Sequence, residues 1–221
     1  MSLRTALQAV LPSEAGYGAC RLDNAPEPWP EEIAALGRAV DARRHEFAAG
    51  RAVARDALRM VGHAPVALPV GHGRAPVWPK GMCGSISHGG GVAVATCVVA
   101  GEIVGIGVDV EPAAPLPCDL RPEILHGRDL NESGLDDGLA ARIIFSAKES
   151  LFKAQFPSTG LWLDFGDAAI TLDASGFTAR VSDLRIAGRW AIAEDVVLSA
   201  LWLGAEQIGQ LRSLDLDIVP R

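Results

Sequence analysis

Three acids and a lysine carry the chemistry this sequence can do. Asp109 and Glu111 stand two apart in Val104-Gly105-Ile106-Gly107-Val108-Asp109-Val110-Glu111-Pro112. With the period of a strand, Val104, Ile106, Val108 and Val110 share one face, and Gly105, Gly107, Asp109 and Glu111 share the other. The two carboxylates then lie about 7 Å apart along the strand. Pro112 stops the strand just after the second acid, and the bare glycine backbone leaves room for something to approach. Neighbouring carboxylates repel unless a cation or a proton sits between them. Mg²⁺ suits them, because it takes hard oxygen ligands, usually one or two carboxylates with substrate phosphates and water. Glu149 and Lys153 are four apart in a segment whose Ile144, Ala147, Leu151 and Ala154 form a buried helical stripe, so they share a face. A carboxylate that ligates metal or accepts a proton, beside an ammonium that neutralises phosphate, makes a phosphate site. Plainer readings meet the same spacing: solvated acids at a strand end, a surface ion pair worth roughly a few tenths of a kcal/mol, or a Ser146-x-x-Glu149 capping box.

The elements that must position these residues are readable from pattern. Residues 31–61 read as helix, in one piece or broken near Gly37, with Val40, Phe47, Ala54 and Leu58 as the core face of the second part and Gly62 and Pro65 as the stop. Residues 12–30 read as an extended surface segment and 66–79 as a loop. Strands are predicted near 84–88 and 92–99, joined at Gly89-Gly90-Gly91, with a third over 103–111. A loop-rich stretch, 112–134, precedes a long helix over about 136–156. Residues 160–204 alternate as an antiparallel meander with turn signals at Asp173–Gly176 and Ala187-Gly188. Each half is a long helix accompanied by strands, so the expected fold is α+β. Its two pseudo-symmetric subdomains each pack a long helix on a small, mainly antiparallel sheet, with residues 1–102 in one half and 103–221 in the other.

Composition bounds the function. The chain has 221 residues, 49% of them hydrophobic, and a net charge of −7, enough for a substantial core and unsuited to general nucleic-acid binding. A local basic patch is left open by Arg38, Arg43, Arg44, Arg51, Arg55 and Arg59. Cys20, Cys83, Cys97 and Cys118 form no CxxC pair, the histidines complete no zinc spacing, and the N-terminus lacks a secretory pattern. The cytoplasm is the expected compartment. The longest apolar run, 91–108, is broken by glycines and Glu102 and reads as two buried strands rather than a membrane span.

The strand and the helix together resemble the 4′-phosphopantetheinyl transferase superfamily, whose G-[IV]-D-x-E strand and [FW]-x-x-K-E-[SA]-x-x-K helix match Gly107–Glu111 and Phe145–Lys153, with Glu111 and Glu149 38 residues apart. Further stretches resemble the subgroup that activates enterobactin-type siderophore synthetases. They are Arg43-Arg44-His45-Glu46-Phe47 with Gly50-Arg51 and Ala54-Arg55, Ala75-Pro76-Val77-Trp78-Pro79, Gly84-Ser85-Ile86-Ser87-His88, Trp162-Leu163-Asp164-Phe165 and Ala169-Ile170-Thr171. The resemblance implies a monomer that binds coenzyme A between its halves and moves phosphopantetheine to a serine of an apo acyl or peptidyl carrier protein, releasing 3′,5′-ADP. It implies Mg²⁺ on Asp109, Glu111 and Glu149, and Lys153 at the diphosphate. Either Glu149 or a metal-bound water held by Glu111 serves as base. Arg43 and Arg51, about 80° apart on a helix, would hold the 3′-phosphate region, with Ser87 and His88 as phosphate ligands. Arg44 and Arg55 are expected at the surface or behind the ligand. The family's loop lysine is missing from Pro69–Arg74, and His72 or Arg74 would replace it. A Mg²⁺ phosphohydrolase acting on nucleotide diphosphates or on coenzyme A, and a non-catalytic coenzyme A or carrier-binding protein, are the alternatives.

Overall fold

A computed structural model describes residues 1–24, 26–33 and 40–214. The fold is α+β, with helices packed on two sheets. In chain order the elements are α1 (Leu3–Val10), β1 (Gly16–Arg21), α2 (Pro30–Ile33), α3 (Asp41–Met60), β2 (Met82–Gly89), β3 (Val92–Val99), β4 (Gly105–Pro112), α4 (Arg121–Ile124), β5 (Leu130–Asn131), α5 (Asp137–Thr159), β6 (Ala168–Leu172), β7 (Gly176–Val181), β8 (Leu184–Ala193), β9 (Val196–Leu203) and α6 (Ala205–Arg212). One sheet has the order β1-β3-β2, and the other β4-β9-β8-β7-β6-β5. All pairings are antiparallel except β5 with β6.

The same packing device recurs in both sheets. Gly16 and Gly18 of β1 lie against the backbone carbonyls of Ala57 and Val53 on α3, and Gly105 and Gly107 of β4 lie against those of Ala154 and Ser150 on α5. A Gly-x-Gly strand thus meets helix residues four apart, close enough that a Cβ at Gly107 would sit 1.8 Å from the Ser150 oxygen. The glycines beside Asp109 therefore admit α5 and not a ligand, which corrects the expectation of open backbone there. Three of the four residues expected on the other face behave as expected: Ile106, Val108 and Val110 are buried in a core shared with Val92 and Val94 of β3, Ala191, Leu198 and Ala200 of β8 and β9, and Ala6, Leu7 and Val10 of α1, whereas Val104 precedes β4 and packs against the core beneath α5.

Local expectations succeed and fail for physical reasons. The β2–β3 hairpin turns at Gly90 and Gly91, both with positive φ (58° and 77°), as a tight two-residue turn requires. Helix α5 is capped by Asp136, whose side chain accepts from Gly138 N, and stops at Gly160 with φ 72°. Residues 12–30 are not wholly an extended surface segment. They contain β1, whose glycines lower its strand propensity but are needed under α3. Val40 is 72% exposed and precedes α3, whereas Phe47, Ala54 and Leu58 are buried as expected. Ala187-Gly188 is not a turn. It lies inside β8 beneath the Phe177 ring, and the chain turns instead at Ser182 and Glu194, both at φ 52°. Gly37 and Arg38 lie outside the described residues.

Candidate active site

The β4 acids stand where the two sheets meet. Strand β2 passes so close to β4 that a Cβ on Gly89 would lie 2.3 Å from the Val110 carbonyl, and the Ser87 hydroxyl donates to Asp109 Oδ1 at 2.8 Å. Asp109 is 2% exposed. Lys153 reaches in from α5, donating to the same Oδ1 at 2.5 Å and to Ser87 Oγ at 2.9 Å. Strand β2, strand β4 and helix α5 thus join in one three-way contact. Asp109 Oδ2 is buried and accepts no hydrogen bond among the described residues, a costly arrangement for a carboxylate oxygen without a cation or proton.

The other two acids are placed differently. Glu111 Oε2 accepts from Arg142 Nη1 at 2.8 Å. Burial, with Asp109 adding to it and Arg142 and Lys153 opposing, pushes its carboxyl up to about 7. Glu149 is half-buried, and burial raises its carboxyl above the ordinary range despite Lys153 nearby. Lys153 does not pair with Glu149, so the surface ion pair is absent. Ser146 is buried mid-helix and shares a hydrogen bond with Ser199 at 2.7 Å, so it caps nothing. Among the described residues, no group of three or more His, Cys, Asp or Glu side chains is already set around a point as metal ligands. Arg142 and Lys153 each occupy one acid oxygen.

Sequence reasoning missed Arg142, which is seven residues before Glu149 and eleven before Lys153. At 3.6 residues per turn all three fall within about 40° on one stripe of α5, a spacing that marks Arg142 as facing the β4 acids. Lys148, quoted only as a motif letter, is buried on another face. Its ammonium donates to Ile124 O at 2.9 Å, Asp129 Oδ2 at 2.7 Å and Phe165 O at 2.8 Å. All three of its donors are used, and Asp129 in turn accepts from Ile170 N at 2.7 Å and His126 N at 2.9 Å. Lys148 pins the 113–134 segment to α5 and does not face the acids.

A second cavity, of about 180 Å³, opens between α3, β2 and the 66–79 loop. Arg43, Arg51, Arg74 and His88 line it, together with Glu46. Arg43 Nη1 donates to His88 Nε2 at 3.0 Å and to Glu46 at 3.3 Å. Burial holds His88 below its ordinary value, with Glu46 opposing, which favours the neutral ring that accepts from Arg43. Arg51 is 6% exposed, stacks over Phe47 at 4.4 Å and donates Nε to Leu68 O at 2.7 Å, and its burial pulls the guanidinium down to about 10. The structure therefore brings Arg43, Arg51 and His88 together, with Ser87 turned to Asp109. Of the two loop candidates, Arg74 lines both this cavity and the adjoining one bounded by Glu149, Phe152 and Lys153. His72 instead stacks on Phe156 at 5.9 Å. Arg55 is no surface residue: it is 4% exposed and paired with Glu32 at 2.7 Å. Arg59 pairs with Asp56, so the α3 arginines do not form one basic patch among the described residues.

Two family models match the chain, one described as the 4′-phosphopantetheinyl transferase N-terminal domain over residues 31–100 and one as the 4′-phosphopantetheinyl transferase superfamily over residues 105–201. Similar curated proteins include the 4′-phosphopantetheinyl transferase Svp of Streptomyces mobaraensis, 39% identical over 90% of this chain and 89% of the relative. They also include the 4′-phosphopantetheinyl transferase PptT of Mycobacterium tuberculosis, 35% identical over 80% and 86%. Enterobactin synthase component D of Escherichia coli is 35% identical over 77% and 82%. With a relative at 39% identity matched over about nine tenths of both chains and family matches on either side of the β2–β4 contact, the chain belongs to the 4′-phosphopantetheinyl transferase superfamily and is a transferase.

Proposed function

We propose that the cleft binds coenzyme A with its 3′-phosphate end in the Arg43–Arg51–His88 cavity and its diphosphate over Asp109, Glu111, Glu149 and Lys153. Phosphopantetheine passes from there to a serine of an apo acyl or peptidyl carrier protein of siderophore, nonribosomal peptide or polyketide synthesis. The observation that carries this reading is the contact of Lys153 with Ser87 and Asp109. It sets an ammonium and a buried acid with a free oxygen next to an arginine-lined cavity. Arg74, at the junction of the two cavities, stands in for the family's loop lysine. We treat residues 1–102 and 103–221 as the two halves, working as a monomer in the cytoplasm. Among the described residues no helix is long and apolar enough to cross a membrane.

The residues present fit Mg²⁺. Asp109 Oδ2 is orphaned, and only one Glu111 oxygen is engaged by Arg142. Glu149 makes no side-chain hydrogen bond among the described residues, and hard oxygens are what this cation takes. Asp109, Glu111 and Glu149 would hold it, and it would supply charge neutralisation at the diphosphate. In the reaction the carrier serine oxygen bonds to the β-phosphorus, the bond from that phosphorus to the bridging oxygen breaks, and 3′,5′-ADP leaves. Lys153 balances the phosphate charge. Glu149, its carboxyl raised above the ordinary range by burial, accepts the serine proton, and a water at Glu111 is the competing acceptor. Incubation with coenzyme A, Mg²⁺ and a panel of apo carriers, read by mass spectrometry, should add the phosphopantetheine mass, and chelation should stop it. Glu149→Gln should lose about 10²-fold or more in rate while melting no lower than the parent. Full activity in that variant removes Glu149 from the reaction. Hydrolysis of coenzyme A without a carrier would favour a phosphohydrolase.

A further inference from the structure

Arg142 uses donors on all three of its guanidinium nitrogens. Nη1 donates to Glu111 Oε2 at 2.8 Å, Nε to Ala114 O at 3.2 Å and Nη2 to Pro115 O at 3.3 Å. Its side chain is 13% exposed and that of Glu111 18%. The two carbonyls belong to the chain just beyond β4, so the guanidinium fixes both the carboxylate and the backbone that carries it. A planar guanidinium anchored on two carbonyls presents its remaining N–H to one carboxylate oxygen in a fixed plane, which the freely rotating donors of an ammonium do not do. Resting on the diphosphate site proposed above, we infer that Arg142 is a positioning residue. It holds Glu111 by one oxygen and keeps the three acids from taking up a divalent cation before the diphosphate arrives.

The charges support the second half of that statement. Fully ionised, Asp109, Glu111 and Glu149 carry three negative charges, and Lys153 and Arg142 return two, so the substrate-free site holds at most one negative charge. A diphosphate adds two more, and only then does the site hold enough uncompensated charge to favour a dication strongly. By linkage, coenzyme A and the cation then raise each other's affinity by the same factor. Without the Arg142 charge, both Glu111 oxygens are released and the free protein becomes a better cation trap. A unit charge a few ångströms from a dication is worth about tenfold in affinity even at bulk-water screening.

The test is a Mn²⁺ titration followed by electron paramagnetic resonance, on the parent protein, Arg142→Gln and Arg142→Lys, each with and without coenzyme A. Substrate-free R142Q should bind Mn²⁺ about tenfold more tightly than the parent, with a smaller enhancement by coenzyme A. R142K, which keeps the charge and loses the carbonyl contacts, should stay within about threefold of the parent. Equal or weaker Mn²⁺ binding by R142Q would reduce Arg142 to a backbone clamp and overturn the proposal. Should R142Q not fold, Arg142→Met carries the same expectation, and in the parent Mn²⁺ bound as tightly without coenzyme A as with it also overturns the proposal. No Mn²⁺ binding in either state overturns the cation site itself. None of these readouts needs turnover, so a failure of carrier modification is scored separately.

Discussion

Replacing Gly107 by alanine discriminates between a glycine that serves a ligand and one that serves a helix. The added methyl would lie 1.8 Å from the Ser150 oxygen, 2.8 Å from its carbon and 2.9 Å from Ala154 N. All three atoms are helix backbone, so no side chain can swing away. Helix α5 must retreat from β4 by more than an ångström, and a gap of only about 0.5–1 Å already forfeits a quarter to a half of each dispersion contact along the seam. Overpacking of a well-packed core commonly costs about 1–3 kcal/mol, and the backbone origin of this clash places G107A at about 3 kcal/mol or beyond. For a chain of this length the melting temperature should fall by roughly 6–12 °C. Gly101→Ala, with nothing within 4 Å of the new methyl, is the control and should stay within about 0.5 kcal/mol. The assay is urea unfolding followed by tryptophan fluorescence, with coenzyme A binding measured in parallel. If G107A keeps its stability to within about 1 kcal/mol yet loses coenzyme A, the glycine faces the ligand and the packing argument is refuted.

Other variants probe the remaining contacts. Lys148→Met strands the Ile124 and Phe165 carbonyls and the Asp129 carboxylate, and should cost about 3–5 kcal/mol in urea unfolding; a loss under about 1 kcal/mol would mean that the ammonium is not holding the 113–134 segment. Arg43→Gln should raise KM for coenzyme A about tenfold with kcat little changed, and should affect dephospho-coenzyme A much less; equal effects on both substrates would move Arg43 away from the 3′-phosphate. His88, lowered from 6.5 by burial, with Arg43 and Lys153 adding to this and Glu46 and Asp109 opposing, binds its proton more readily unfolded. Stability should therefore fall as pH drops from 6.5 toward the lowered folded value and level off below it. His88→Asn should flatten that part of the urea-midpoint profile, and an unchanged slope would assign it to other groups.

The long helices, the Gly90-Gly91 hairpin and the meander were legible because each depends on local pattern: apolar periodicity, a turn needing positive φ, strands bounded by polar residues. The acids were legible for the same reason, since period two places Asp109 with Glu111 whatever lies opposite. What lies opposite was not legible. Gly105 and Gly107 read as vacancy because nothing local says that α5 will fill it. Strand β1 was lost because its glycines serve a helix that begins some twenty residues later. Arg142 shares the Glu149 stripe, but the spacing has meaning only once β4 is known to run beneath α5. The Ala187-Gly188 signal misled because Gly188 answers to the ring of Phe177 across the strand pair and not to a turn.

The repeated Gly-x-Gly contact also accounts for the division of labour between the halves. In both, a strand is drawn onto a helix so tightly that only backbone separates them, which sets the strand's following residues beside that helix. In the first half the residues after Gly16-Tyr17-Gly18 are Ala19 and Cys20, which carry no charge to deploy. In the second they are Val108 and Asp109, followed by Glu111, opposite a stripe bearing Arg142, Glu149 and Lys153. The shared geometry supplies rigid placement, and the chemistry follows from which copy carries the acids. The arginines of the other copy, on α3, lie across the β2–β4 contact at the arginine-lined cavity. On the proposed reading, one half takes the anionic end of the ligand and the other its diphosphate, with Lys153 hydrogen-bonded to both Ser87 and Asp109 at the seam.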